Sequence, residues 1–172
     1  DNRTNTAEWT INTSPVSFNN NGGTGYPGSQ TKTYGTNLTL SSTKPTRTGY
    51  TFSGWNTAAN GTGTSYAPGA SYTANSAVTL YAQWKINQYT LTFNSNGGST
   101  VASKTQDYGS SVTAPANPTR TGYTFAGWSP AVPSTMPAGN TTVTAQWTLN
   151  KDTVSFNLNG GSGSAPNQTV NH

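Results

Sequence analysis

Pro45–Trp55 reads PTRTGYTFSGW and Pro118–Trp128 reads PTRTGYTFAGW; only Ser53 against Ala126 separates the two copies. Each copy is read as a turn feeding a strand. The proline fixes φ and disfavours helix before it, and Gly49 or Gly122 permits a tight turn. Tyr50 and Phe52, like Tyr123 and Phe125, then fall on one side of an extended segment. Trp55 and Trp128 have the opposite parity. Either Gly54 and Gly127 mark a bulge, or each indole faces the other way.

The rest of the chain aligns on these two anchors. Ala82-Gln83-Trp84 and Ala145-Gln146-Trp147 match each other, and Ala7-Glu8-Trp9 matches both. After each of these tryptophans come an Ile or Leu (Ile11, Ile86, Leu149), then Asn, then Phe18, Phe93 or Phe156 and an Asn-Gly-Gly turn. The pattern divides the chain into 1–15 (last strand of a preceding repeat plus a joint), 16–84 (a first whole module), 85–90 (a joint), 91–147 (a second, shorter module) and 148–172 (a joint plus the start of a third). Twenty-nine residues separate Trp55 from Trp84, but only 19 separate Trp128 from Trp147. A tolerated length change marks that region as loop.

Within a module, alternation places four strands: Val16–Phe18, Gln30–Tyr34, the Gly-Tyr-x-Phe anchor, and Leu80–Trp84, with their counterparts in the second module. Thr and aromatic residues favour strands, and no stretch carries a helical apolar period, so the fold class is mainly β in a tandem repeat array. The core is read from the recurring rings: Phe18, Tyr50, Phe52 and Trp84, then Phe93, Tyr123, Phe125 and Trp147. Ile11, Ile86 and Leu149 either pack against a neighbouring module or complete their own module's core.

Only 7% of residues are charged, against about 25% in an average globular domain, so Thr, Ser, Asn and Gly supply the polarity. The eight cations are scattered, which argues against a phosphate-tracking surface and against nucleic acid as a partner. There are no cysteines, so disulfides and thiolate metal sites do not arise. No apolar run approaches the roughly 20 residues needed to span a bilayer, so membrane insertion is not expected. No basic-plus-apolar signal opens the sequence; a secreted protein would contain this stretch as a mature or internal piece.

In this order, Phe-x-x-Asn-Gly-Gly, Tyr-Gly, Pro-Thr-Arg-Thr-Gly-Tyr-x-Phe-x-Gly-Trp and a final Ala-Gln-Trp resemble the Listeria–Bacteroides repeat, the B-repeat type of internalin B. The resemblance covers 16–84 and 91–147 as whole repeats, with stubs at both ends. It implies β-grasp, ubiquitin-like modules carried in tandem on large secreted or wall-anchored bacterial proteins, where they serve as stalk or accessory units. An extracellular, surface or secreted location follows from the same resemblance. No LPxTG motif or leucine-rich region occurs in these residues, so attachment and receptor recognition in the manner of whole family proteins are not expected of this segment.

Enzymatic chemistry has little to build on. The acids are Asp1, Glu8, Asp107 and Asp152, and the one histidine is His172; neither a carboxylate pair nor a histidine-based site emerges. No catalytic, metal or cofactor residue is assigned. A Lys–Asn isopeptide bond would need an acid beside the pair, which singles out Asp107. Arg47 and Arg120 are read as covering an aromatic face or satisfying turn carbonyls. Rings without a counterpart, Tyr26, Tyr66 and Tyr72, are the candidates for ligand contact. Three functions follow: a stalk whose partners are neighbouring repeats, a filament subunit joined head-to-tail to an adjacent chain by its terminal strands, and an adhesin module binding surface glycans or a host receptor.

Overall fold

The structure, a computed structural model, describes residues 6–171, all β-strand, turn and loop with no helix among them. It divides into two compact units, Asp1–Asn87 and Gln88–His172.

The first unit is built on β1 (Thr13–Asn19), β2 (Gln30–Thr33), β4 (Tyr50–Asn56), β5 (Ser65–Tyr66) and β7 (Val78–Ile86) in the sheet order β2-β1-β7-β4-β5. β1 and β2 form an antiparallel hairpin, while β1 and β7 run parallel through the middle of the sheet. A two-stranded ribbon, β3 (Leu38–Thr39) with β6 (Ser71–Tyr72), supplies further core residues. Val16, Phe18, Leu40, Trp55, Tyr72, Leu80 and Ala82 are buried together, with Leu38, Phe52, Tyr66, Val78 and Trp84 packed against them.

The second unit repeats the plan with β8 (Gln88–Asn94), β9 (Lys104–Asp107), β10 (Tyr123–Ser129) and β11 (Thr141–Leu149) in the order β10-β11-β8-β9. β8 and β11 are again parallel neighbours. Leu91, Phe93, Met136 and Val143 form its core, joined by Tyr89, Val101, Val112, Trp128 and Val132. After it, β12 (Lys151–Val154) pairs with β13 (Gln168–Asn171) in the register of β1 with β2, and every residue of both strands is exposed. Asp1–Asn5 and His172 lie outside the described residues. Thr6–Asn12, the described part of the stretch read from sequence as a preceding repeat's last strand plus a joint, forms no strand; Trp9 and Ile11 are exposed there, so no buried face fixes an extended register.

The parity of the tryptophans is settled by a bulge. Pairing of β4 with β7 shifts between Phe52 and Gly54, and that of β10 with β11 between Phe125 and Gly127. One extra residue returns the indole to the face of the preceding Phe. Trp55 therefore packs edge-on against both Phe18 and Phe52, with ring centroids 4.8 and 5.1 Å apart. Trp128 repeats this with Phe93 and Phe125.

The region read as loop in the first module is structured. β5 extends the sheet, pairing Trp55 with Tyr66, and β6 pairs with β3. Tyr66 and Tyr72 meet edge-to-face at 5.7 Å, and these rings hold the segment down by burying apolar area. The shorter module has no β5 counterpart among the described residues. Its Met136 is buried as Tyr72 is: Val112 N–H donates to the Ser134 carbonyl as Leu40 N–H does to that of Ala70, and Met136, two residues after Ser134 as Tyr72 is after Ala70, donates its N–H to the Ser110 carbonyl.

Candidate functional site

The constellation that recurs in both units is a turn clamped by a tryptophan and an arginine. Asn21 and Asn96 sit at positive φ, 47° and 48°, where asparagine is tolerated better than most residues. Their backbone N–H groups donate to Asn19 Oδ1 and Asn94 Oδ1 at 2.8 and 3.0 Å. Asn21 Nδ2 reaches across to donate to the carbonyls of Ala59 and Ala82, and Asn96 Nδ2 to that of Ala145. Trp84 Nε1 donates to the carbonyls of Asn20 and Asn21, and Trp147 Nε1 to that of Ser95. The first hairpin is thereby tied to the last strand.

The arginine closes the other side. The Arg47 guanidinium lies 3.9 Å above the Tyr50 ring and Arg120 lies 3.8 Å above Tyr123. Arg120 Nη1 also donates to the Asn96 carbonyl at 3.2 Å. Both arginines thus act on the turn and the aromatic face, where a cation over the ring is attracted by its quadrupole.

The joint residues are held as firmly. Asn87 N–H donates to the Gly49 carbonyl at 2.9 Å, and Thr51 Oγ1 donates to Asn87 Oδ1 at 2.6 Å. Asn150 makes the same two bonds with Gly122 and Thr124, at 2.9 and 2.6 Å. Ile86 lies half-buried opposite Tyr50, Leu149 half-buried opposite Tyr123, and Ile11 is exposed.

The three tyrosines proposed for ligand contact do not form a common surface. Tyr26 is exposed, Tyr66 is half-buried against the core, and Tyr72 is buried with its hydroxyl donating to the Ser76 carbonyl. A shallow depression of about 210 Å³ beside the Gly54 bulge is lined by uncharged residues, among them Ser53, Ser65 and Gln83. No group of three His, Asp or Glu side chains gathers among the described residues.

Two residues that sequence reasoning missed organise the first module. Lys32 is buried in β2, and its ammonium donates to the Thr33 carbonyl at 2.7 Å and to Asn75 Oδ1 at 2.8 Å. Asn75 Oδ1 also accepts from Gly35 N–H. The pair has the partners for an isopeptide bond, yet the first module, 16–84, contains no Asp or Glu to catalyse it. In the second module Asp107 accepts instead from Gln88 Nε2, and Lys104 donates to the Thr113 carbonyl. Asn56 is the other. Its amide donates to Gly61, Gly63 and Ser65 and accepts from the backbone N–H groups of Ala58 and Gly63, folding 57–65 around itself. Burial was the missing signal in both cases, since neither polar residue recurs in the second copy.

Two parallel-centred β-sheet units, each with its turn locked under a tryptophan, define a tandem array of small all-β repeats. The chain belongs to the Listeria–Bacteroides repeat domain family, whose sequence profile matches residues 15–83 and 89–149. It is 42% identical over 117 residues to Internalin H of Listeria monocytogenes, covering 63% of this chain and 21% of that protein. Two proteins of Evansella cellulosilytica are also similar. One, named "Putative membrane protein", is 38% identical over 164 residues, which is 91% of this chain and 24% of that protein. The other, named "Putative Gly-rich membrane protein", is 42% identical over 123 residues, which is 66% of this chain and 14% of that protein. This chain therefore spans less than a quarter of the length of each of these relatives.

Proposed function

We propose that these repeats form a non-enzymatic spacer in an extracellular bacterial surface protein, holding another part of that protein away from the cell. The observation that carries the reading is the joint. A single residue, Asn87, separates β7 from β8, and it is pinned to Gly49 and Thr51; Asn150 repeats the arrangement. A joint of this length, bonded through both backbone and side chain, is unlike a Gly/Ser coil. The names of the similar proteins support a surface location. The β-grasp assignment is supported by the strand order, with the module's first and last strands parallel and adjacent inside the sheet and an antiparallel partner of each outside it.

The test is exchange. In the intact protein that carries these repeats, 13–149 is replaced by unrelated folded modules of equal residue count. A spacer leaves the accessibility of the distal part to antibody on whole cells unchanged. Loss of a binding activity after an exchange that preserves display would overturn the reading in favour of an adhesin module, for which Tyr26 is the exposed member of the proposed set.

A further inference from the structure

We infer that each module is a mechanical clamp that bears tension by shear between its first and last strands. The inference rests on the spacer reading for its purpose, but on the topology alone for its physics. The chain comes into the first module through β1 and leaves it through β7, and these two strands are direct parallel neighbours: Val16 pairs with Val78, Ser17 with Thr79, Phe18 with Leu80 and Asn19 with Tyr81. The second module does the same with Leu91–Asn94 against Thr141–Thr144.

Tension along the backbone pulls β1 by its amino-terminal end and β7 by its carboxy-terminal end. For parallel neighbours those forces point in opposite directions along the strand axes. The strands must slide, and the evenly spaced ladder bonds are loaded together. An antiparallel hairpin pulled at its open end instead gives up its bonds one after another. Both load-bearing strands are also internal to the sheet, flanked by β2 on one side and β4 on the other, so β7 is held along its second half by Phe52, Gly54 and their neighbours.

Sliding is opposed by packing as well. A one-residue slip would turn every side chain of the strand to the opposite face. Val16 and Leu80 are fully buried and Phe18 packs on Trp55, so a slip would expose that core and break the ring contact. Further bonds secure the pair: the Asn12 carbonyl accepts from Tyr34 N–H beside β1, Asn140 Oδ1 accepts from Thr90 N–H to join the loop before β11 to β8, and Asn87 and Asn150 lock the outgoing ends.

The test is single-molecule force spectroscopy in two loading geometries. The chain has no cysteine, so introduced thiols give unique handles at exposed threonines and serines. Thr6→Cys with Ser155→Cys loads both modules end to end. Thr10→Cys with Thr36→Cys loads the first module across the open end of the β1–β2 hairpin, where Thr13 faces Thr33. With the two variants first matched in thermal stability, the comparison isolates geometry, and forced unfolding reports the barrier in that direction. We expect two end-to-end unfolding steps, each at roughly two-fold or more the force of the hairpin geometry. Equal forces in the two geometries would overturn the clamp while leaving the exchange test of the spacer untouched. A spacer that fails the exchange test could still show the force difference, so the two failures are told apart.

Discussion

Gly23 and Trp84 lie so close that a β-carbon on the glycine would fall 2.3 Å from Trp84 Cζ2 and 2.7 Å from the Thr46 carbonyl oxygen. Gly98 stands in the same relation to Trp147, at 2.4 Å. The second glycine of Asn-Gly-Gly is therefore required by close approach of an indole edge, with the tryptophan contributed by the same module's last strand, far along the sequence.

Gly23→Ala forces either the indole or the backbone of the turn to move. Overpacking of this kind costs about 1–3 kcal/mol. Chemical denaturation of Gly23→Ala should give a lowered midpoint with an unchanged slope. Gly28→Ala is the control: a methyl group added at Gly28 would meet no heavy atom within 4 Å, and its effect should stay within about 0.5 kcal/mol.

Asn75→Ala removes the side-chain acceptor of a buried ammonium and of Gly35 N–H. Leaving a buried charged donor short of a partner costs about 1–3 kcal/mol or more. Lys32→Met together with Asn75→Ala should recover most of that loss, because the charge is no longer there to be desolvated. A double-mutant cycle by denaturation reads the coupling directly, and additive losses would show that Lys32 and Asn75 act independently.

Tyr72→Phe keeps the ring against Tyr66 and removes only the hydroxyl's bonds to the Ser76 carbonyl and Oγ, so a loss of about 1 kcal/mol is expected. Met136→Ala removes the corresponding core side chain of the second module and should cost about 2–5 kcal/mol. Denaturant titrations of the two variants check the ordering; a larger loss for Tyr72→Phe would contradict the matching of Met136 to Tyr72.

Arg47→Ala uncovers the Tyr50 ring and the turn at Gly22. A partly exposed cation–π contact is worth about 0.5–1 kcal/mol, so a small drop in thermal midpoint is expected. Arg47→Lys should recover part of it, since a lysine retains the charge but not the planar stack. A binding role for the arginine would instead leave stability unchanged.

The strands of both modules were legible because alternation over residues such as Val16, Phe18, Leu80 and Ala82 reports a face directly. Repetition did the rest: two copies of one anchor aligned the turns, the joint asparagines and the core tryptophans without any tertiary information. Residues that occur once were hidden from this reasoning. Lys32 was one of several scattered cations, Asn56 drew no reading, and Tyr66 and Tyr72 were rings without a counterpart, because burial depends on what the chain brings over them from far away in sequence.

Local pattern by itself determined the class of the protein, its module count and the positions of its turns, since each of these follows from side-chain spacing and backbone freedom within a few residues. The tertiary structure decided the rest: that Gly54 bulges so that Trp55 turns inward, that the length difference in the first module is filled by β5, and that the first and last strands lie side by side and parallel. Strand pairing between residues sixty apart is set by which buried surfaces fit together, and that contest is won only when the whole sheet assembles.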